Sequence, residues 1–107
     1  MKLVIAVINH DDANVVIRNL SKNGFSSTKL ATTGGFLMSG NATVLIGVEE
    51  EHVQSVIDII HEHSHSRKQI IPTTTEIGYG NYHNIPVEVT VGGATIFVVD
   101  VERFEHF

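Results

Sequence analysis

Residues 2–8, Lys-Leu-Val-Ile-Ala-Val-Ile, form a nearly unbroken apolar run rich in β-branched side chains. Such a run leaves no polar face along the strand, so it belongs inside a sheet with cover on both sides. Immediately after it the period changes. Ala13, Val16, Ile17 and Leu20 recur at i, i+3, i+4 and i+7, which places one apolar stripe on a helix. Asp11 or Asp12 is the expected N-cap, and Asn23-Gly24 the stop, with Gly24 in the left-handed C′ position. Phe25 to Thr33 reads as a second, less apolar strand, with Ser26, Thr28 and Leu30 on one face and Ser27 and Lys29 on the other. Gly34 to Asn41 is a loop and Ala42 to Val48 a third strand. Glu49-Glu50-Glu51 supplies the acidic first turn favoured by the helix dipole. Val53, Val56, Ile57 and Ile60 mark a second helix that fades near His63 or His65.

Residues 66–84 contain Pro72, three consecutive threonines, Gly78 and Gly80, and read as a long connection. Ile85 to Val91 and Ala94 to Val101 alternate as strands across Gly92-Gly93, a strong hairpin signal. The order is therefore an α+β, ferredoxin-like β-α-β-β-α-β with an additional C-terminal strand. Its 107 residues are enough for one domain, 1–107, and too few for two. Two helices cover one face of the sheet. The other face needs a partner, and homo-oligomerisation is the simplest one.

Composition narrows the chemistry. With no cysteine, disulfides, thiolate nucleophiles and Cys-based metal sites are excluded. A net charge of −5 with scattered basic residues is a poor footprint for nucleic acid. No apolar run approaches the about 18 residues of a membrane span. The N-terminus resembles a signal peptide only faintly and lacks a cleavage site, so it reads as a strand and the protein as cytoplasmic.

His61 and His65 share a helical face at i, i+4, a spacing that chelates metals. Without an identifiable third ligand, and at a helix C-terminus, they are better read as a solvated, capping helix end. No serine lies in a Gly-x-Ser-x-Gly elbow, and the acids gather at helix starts where capping explains them. Nothing in the sequence argues for an enzyme, a catalytic residue, a resident metal or a cofactor.

The loops carry the remaining signal. Phe36-Leu37-Met38 follows Thr32-Thr33-Gly34-Gly35, and three large apolar side chains in a short loop either fold back on the core or form a recognition surface. Asn41 offers an amide for a base edge, and Gly47 a backbone open to close approach. Together they describe a pocket for a flat heterocycle, with Phe36 stacking and Thr28 plus loop N–H groups taking a phosphate.

The strand Met1 to Ala6, the segment Thr28-Lys29-Leu30-Ala31-Thr32-Thr33-Gly34-Gly35-Phe36-Leu37, and Pro86 to Val89 with Val91-Gly92-Gly93-Ala94-Thr95 resemble the PII-like cyclic di-AMP receptors of Gram-positive bacteria. The resemblance spans the chain. It implies a homotrimer that binds cyclic di-AMP between subunits without catalysis, reorders its loops and signals to a protein target. Carried over by position, it implies ligand contacts from Thr28, Phe36, Leu37, Asn41 and Gly47, and from Phe97. Three positions depart from the better-known members: Gly24 replaces an Asn, Ser26 an Arg that meets the phosphate, and His106 a Gln. A charge-assisted contact is worth roughly 1.5–3 kcal/mol against 0.5–1.5 for a neutral one, so Ser26 costs about tenfold in affinity. Two alternatives remain open at this point: a trimer resembling the CutA proteins that binds divalent metal, and a PII-like scaffold without ligand.

Overall fold

The computed structural model describes residues 1–30, 40–75 and 83–107, with 71–75 and 83–85 described by their backbone alone. The elements are β1 (Lys2–Asn9), α1 (His10–Lys22), β2 (Thr28–Leu30), β3 (Asn41–Val48), a single 3-10 turn at Glu50–His52, α2 (Val53–Ser64), β4 (Arg67–Thr75), β5 (His83–Val91) and β6 (Ala94–Asp100). β1 is central, as its apolar run requires: the main sheet has the order β2-β3-β1-β6, and each adjacent pair is antiparallel.

Alternation divides the sheet into two faces. Val4, Ala6 and Ile8 of β1 and Val44, Ile46 and Val48 of β3 lie under the helices, buried with Val16 and Leu20 of α1 and Val56 and Ile60 of α2. The helical stripes expected from spacing pack here except at Ile57, which lines a cavity beside β6 while Ile59 packs against the core. Truncating Ile8, Leu20, Ile46 or Ile60 to alanine costs about 2–5 kcal/mol, because the closed interior collapses only partly into the gap.

Helix α1 starts two to three residues earlier than the acids suggest. Asn9 is the cap, its side chain accepting from the Asp11 N–H at 3.0 Å. At the far end Gly24 takes φ +83° as expected. Its N–H donates to Ser21 O at 3.0 Å and the next N–H, from Phe25, to Leu20 O at 2.9 Å. These two bonds satisfy the last carbonyls of the helix in a Schellman motif, and Phe25 adds the apolar contact against the core that accompanies it. Phe25 thus belongs to a cap and β2 begins only at Thr28; residues 31–39, with the rest of the expected strand and loop, lie outside the described residues.

Residues 66–84 differ from the expected connection. β4 and β5 pair antiparallel from Arg67 opposite Val91 to Thr75 opposite His83, as a two-stranded sheet of their own. Pro72 sits opposite Pro86. In a ribbon both strands are edges, so a residue lacking an N–H is tolerated wherever that group would face away from the partner. The expected hairpin across Gly92-Gly93 is absent: β5 pairs with β4, and β6 pairs with β1. The fourth strand of the ferredoxin-like sheet is β6, and the ribbon is inserted between α2 and it.

The two glycines have a different role, at the junction. Gly93 N–H donates to Ser64 O, tying the end of α2 to the start of β6. Gly92 has φ +79°, and a Cβ there would lie 2.5 Å from Arg67 Nη1 and 2.7 Å from His65 O. Only glycine fits both the dihedral and the space.

Candidate functional site

On the face without helices, strand register aligns Gly47 with Leu3 and Leu3 with Val99; one step along, Thr28 faces Leu45, Leu45 faces Ile5 and Ile5 faces Phe97. Phe97 and Val99 are 43% and 42% exposed, too much apolar surface in one row to be left in water.

A cavity of about 560 Å³ opens at one end of this face, lined by Met1, Leu3, Ser26, Thr28, Leu45, Gly47, Val101, Phe104 and His106. That volume lies within the roughly 300–1,000 Å³ typical of small-molecule sites. Its floor is the sheet and one wall is the C-terminal tail, which the Val101 N–H bonds to Met1 O at 3.2 Å. Ser26, Thr28, Gly47 and His106, four residues expected at a ligand site, are brought together here. The polar groups are two hydroxyls and an imidazole amid apolar walls. Such a site can accept an aromatic ring and hydrogen-bond an anionic edge.

The glycine at position 47 is not demanded by the chain's own packing: a Cβ built there meets nothing within 4 Å. Its absence keeps the strand surface bare where the cavity lies.

Other expected residues fall elsewhere. Gly24 serves the helix cap and is not among the lining residues. Phe97 shares the face but lies two strands from Leu45. Asn41 begins β3 opposite Asn9. It is six residues from Gly47, about 20 Å along an extended chain. Phe36 and Leu37, like Met38, lie outside the described residues. Five lining residues escaped sequence reading: Met1, Leu3, Leu45, Val101 and Phe104. Phe104 is 62% exposed, and an aromatic residue in a polar tail was the available signal for it.

A second cavity, of about 570 Å³, lies between the end of α2 and β6, with His61, His65 and Ile57 among its walls. The two imidazoles are 5.9 Å apart edge to face, and His65 Nδ1 lies 3.2 Å from His61 O. Among the described residues no group of three or more His, Cys, Asp or Glu is placed to hold a metal. Among them, too, no helix is long and apolar enough to cross a membrane.

Ion pairs fix the frame around the site. Lys2 and Asp100 bond across β1 and β6. That hydrogen bond, then the opposite charge, holds the Asp100 carboxyl below its ordinary range. The Lys2 ammonium is raised, chiefly by the same hydrogen bond, which outweighs the lowering by burial, and to a lesser extent by the Asp100 charge.

Comparison with known proteins gives a consistent result. A family model described as cyclic-di-AMP receptor matches residues 1–107. A crystal structure described as a functionally unknown protein from Pediococcus pentosaceus is 43% identical, with 99% of this chain and 96% of that one covered and a TM-score of 0.80.

Proposed function

The chain belongs to the cyclic-di-AMP receptor family, and from that premise we propose that it is a non-enzymatic cytoplasmic receptor whose ligand, cyclic di-AMP, occupies the cavity at Ser26, Thr28, Gly47 and His106. The observation that carries this reading is the convergence of those four residues, from β2, β3 and the tail, on one cavity of ligand size. Phe104 supplies an aromatic surface for an adenine, and the family resemblance adds Phe36 and Leu37 as further ligand contacts.

The site is completed by a second copy. Asn41 and Gly47 are separated along β3 by about 20 Å, so a single adenine meeting both draws them from different chains. The exposed row containing Phe97 and Val99 supplies the apolar contact for such an assembly. A homotrimer with ligands between subunits fits the resemblance, and reordering of its loops passes ligand occupancy to a protein target.

Titration calorimetry with cyclic di-AMP tests the assignment. Saturable binding at one ligand per chain is expected; no heat at high micromolar ligand sinks it while leaving the fold intact. The metal-binding alternative rests on the two imidazoles of the second cavity. Equilibrium dialysis with zinc or copper separates the two readings.

A further inference from the structure

We propose that His106 is the cation one chain contributes to the ligand cavity, so that a cyclic dinucleotide is taken up together with a proton and held more tightly as pH falls. This rests on the reading of that cavity as the cyclic di-AMP site.

A cyclic dinucleotide carries two phosphodiester charges at neutral pH. An anion in a part-apolar site needs a positive partner or ample hydrogen bonding, since desolvation is otherwise uncompensated. Among the described lining residues, His106 has the only ionisable side chain. Ser26 and Thr28 give neutral hydroxyls.

On the same chain the nearby cations do not fill the gap, being either matched or turned away. The Met1 ammonium lies 3.7 Å from Glu49 Oε2, at the end of β3. Lys2 of β1 is bonded to Asp100 of β6. In the tail, Arg103 Nη2 is 2.7 Å from Glu105 Oε1, and Glu102 adds a further negative charge. Lys29 pairs with Val44, a core residue, and so alternates away from Thr28. The segment 31–39, Ala-Thr-Thr-Gly-Gly-Phe-Leu-Met-Ser, contains no ionisable side chain at all.

An imidazole changes charge within the range of cellular pH, and a bound anion beside it favours the protonated form. Ligand binding and proton binding therefore reinforce one another, and by linkage the affinity rises on acidification. A lysine or arginine in this place would hold its charge throughout and give no such dependence.

The test is calorimetry with cyclic di-AMP at about pH 6 and about pH 8, each in two buffers of different ionisation heat. Wild type is expected to bind about tenfold more tightly at the lower pH, the margin between a charge-assisted and a neutral contact, and to take up about half a proton on average across the interval, as linkage requires of that slope. His106→Gln should bind at both with neither slope nor proton uptake, and His106→Lys should bind tightly at both. A wild-type affinity independent of pH, or the same slope in His106→Gln, overturns the proton-linked role while the ligand assignment stands. No binding by wild type at either pH overturns the ligand assignment, and this role with it.

Discussion

Arg67, the first residue of β4, grips Asp12 of α1 with both guanidinium nitrogens, Nη2 to Oδ1 at 2.9 Å and Nη1 to Oδ2 at 3.3 Å. The same Nη1 reaches His65 O at 3.2 Å. Asp12 is only 7% exposed, and a buried carboxylate is tolerated when it is paired in this two-pronged way. The Asp12 hydrogen bond, then its charge, raises the Arg67 guanidinium further above its already high range. The pair roots the ribbon in the helical layer, and Gly92 closes over it.

Gly92→Ala is therefore expected to destabilise the protein by about 1–3 kcal/mol, the range for a strained backbone position, with a further loss as the Arg67–Asp12 pair is displaced. Gly40→Ala is the control, since Gly40 also has a left-handed φ, +91°, but no atom within 4 Å of the added Cβ. Thermal melts should show the larger drop for Gly92→Ala.

At Gly47 stability and binding should move in opposite directions. An alanine there replaces the most flexible residue in a strand interior and gains roughly 0.5–1 kcal/mol. It also places a methyl in the ligand cavity. The expected outcome is an unchanged or raised melting temperature with weakened cyclic di-AMP binding; unchanged affinity would remove Gly47 from the site.

Ser26→Arg should tighten cyclic di-AMP binding by about tenfold, by adding a charge-assisted contact where a hydroxyl now stands. Phe104→Ala should weaken binding, with base stacking on an aromatic worth about 1–3 kcal/mol, and should leave the melt unchanged because Phe104 is outside the core. The double variant His61→Ala/His65→Ala should leave nucleotide affinity untouched. Calorimetry reads all three.

For Lys2 and Asp100 the pH dependence follows from the direction of each shift. The depressed carboxyl contributes stability above its ordinary 3.8 and loses it as pH falls through the lower folded value. The raised ammonium contributes below its ordinary 10.5 and loses it as pH rises through the higher folded value. The pair thus stabilises a plateau across neutral pH. Asp100→Asn should lower the melting temperature slightly on that plateau, and the gap from wild type should close in strong acid.

Assembly can be checked by sedimentation. Wild type is expected near three times the 11.7 kDa chain, and Phe97→Glu, which places a charge in the exposed apolar row, should shift it toward the single chain.

Where apolar side chains fill the core, the sequence announced most of them. The stripes of α1 and α2 and the apolar run of β1 are legible because a core face imposes a period. The ribbon has no such face, so Pro72 and its threonine run looked like a connection. Gly92-Gly93 mimicked a hairpin, because a left-handed turn and a close approach to Arg67 and His65 select the same residue. Asp12 mimicked a cap, since its partner lies 55 residues away in sequence. In the candidate site, resemblance pointed to Ser26, Thr28, Gly47 and His106. Leu3, Leu45 and Val101 were invisible, because they line the cavity only through strand register and the path of the tail.

The ribbon also leaves and rejoins the body through a single doorway, Arg67 facing Val91, with Ser64 and Gly93 bonded just behind it. A segment hung on one doorway can lengthen, shorten or change its residues without shifting any strand of the main sheet. The main sheet and the ribbon can thus vary separately, with the candidate cavity left unchanged.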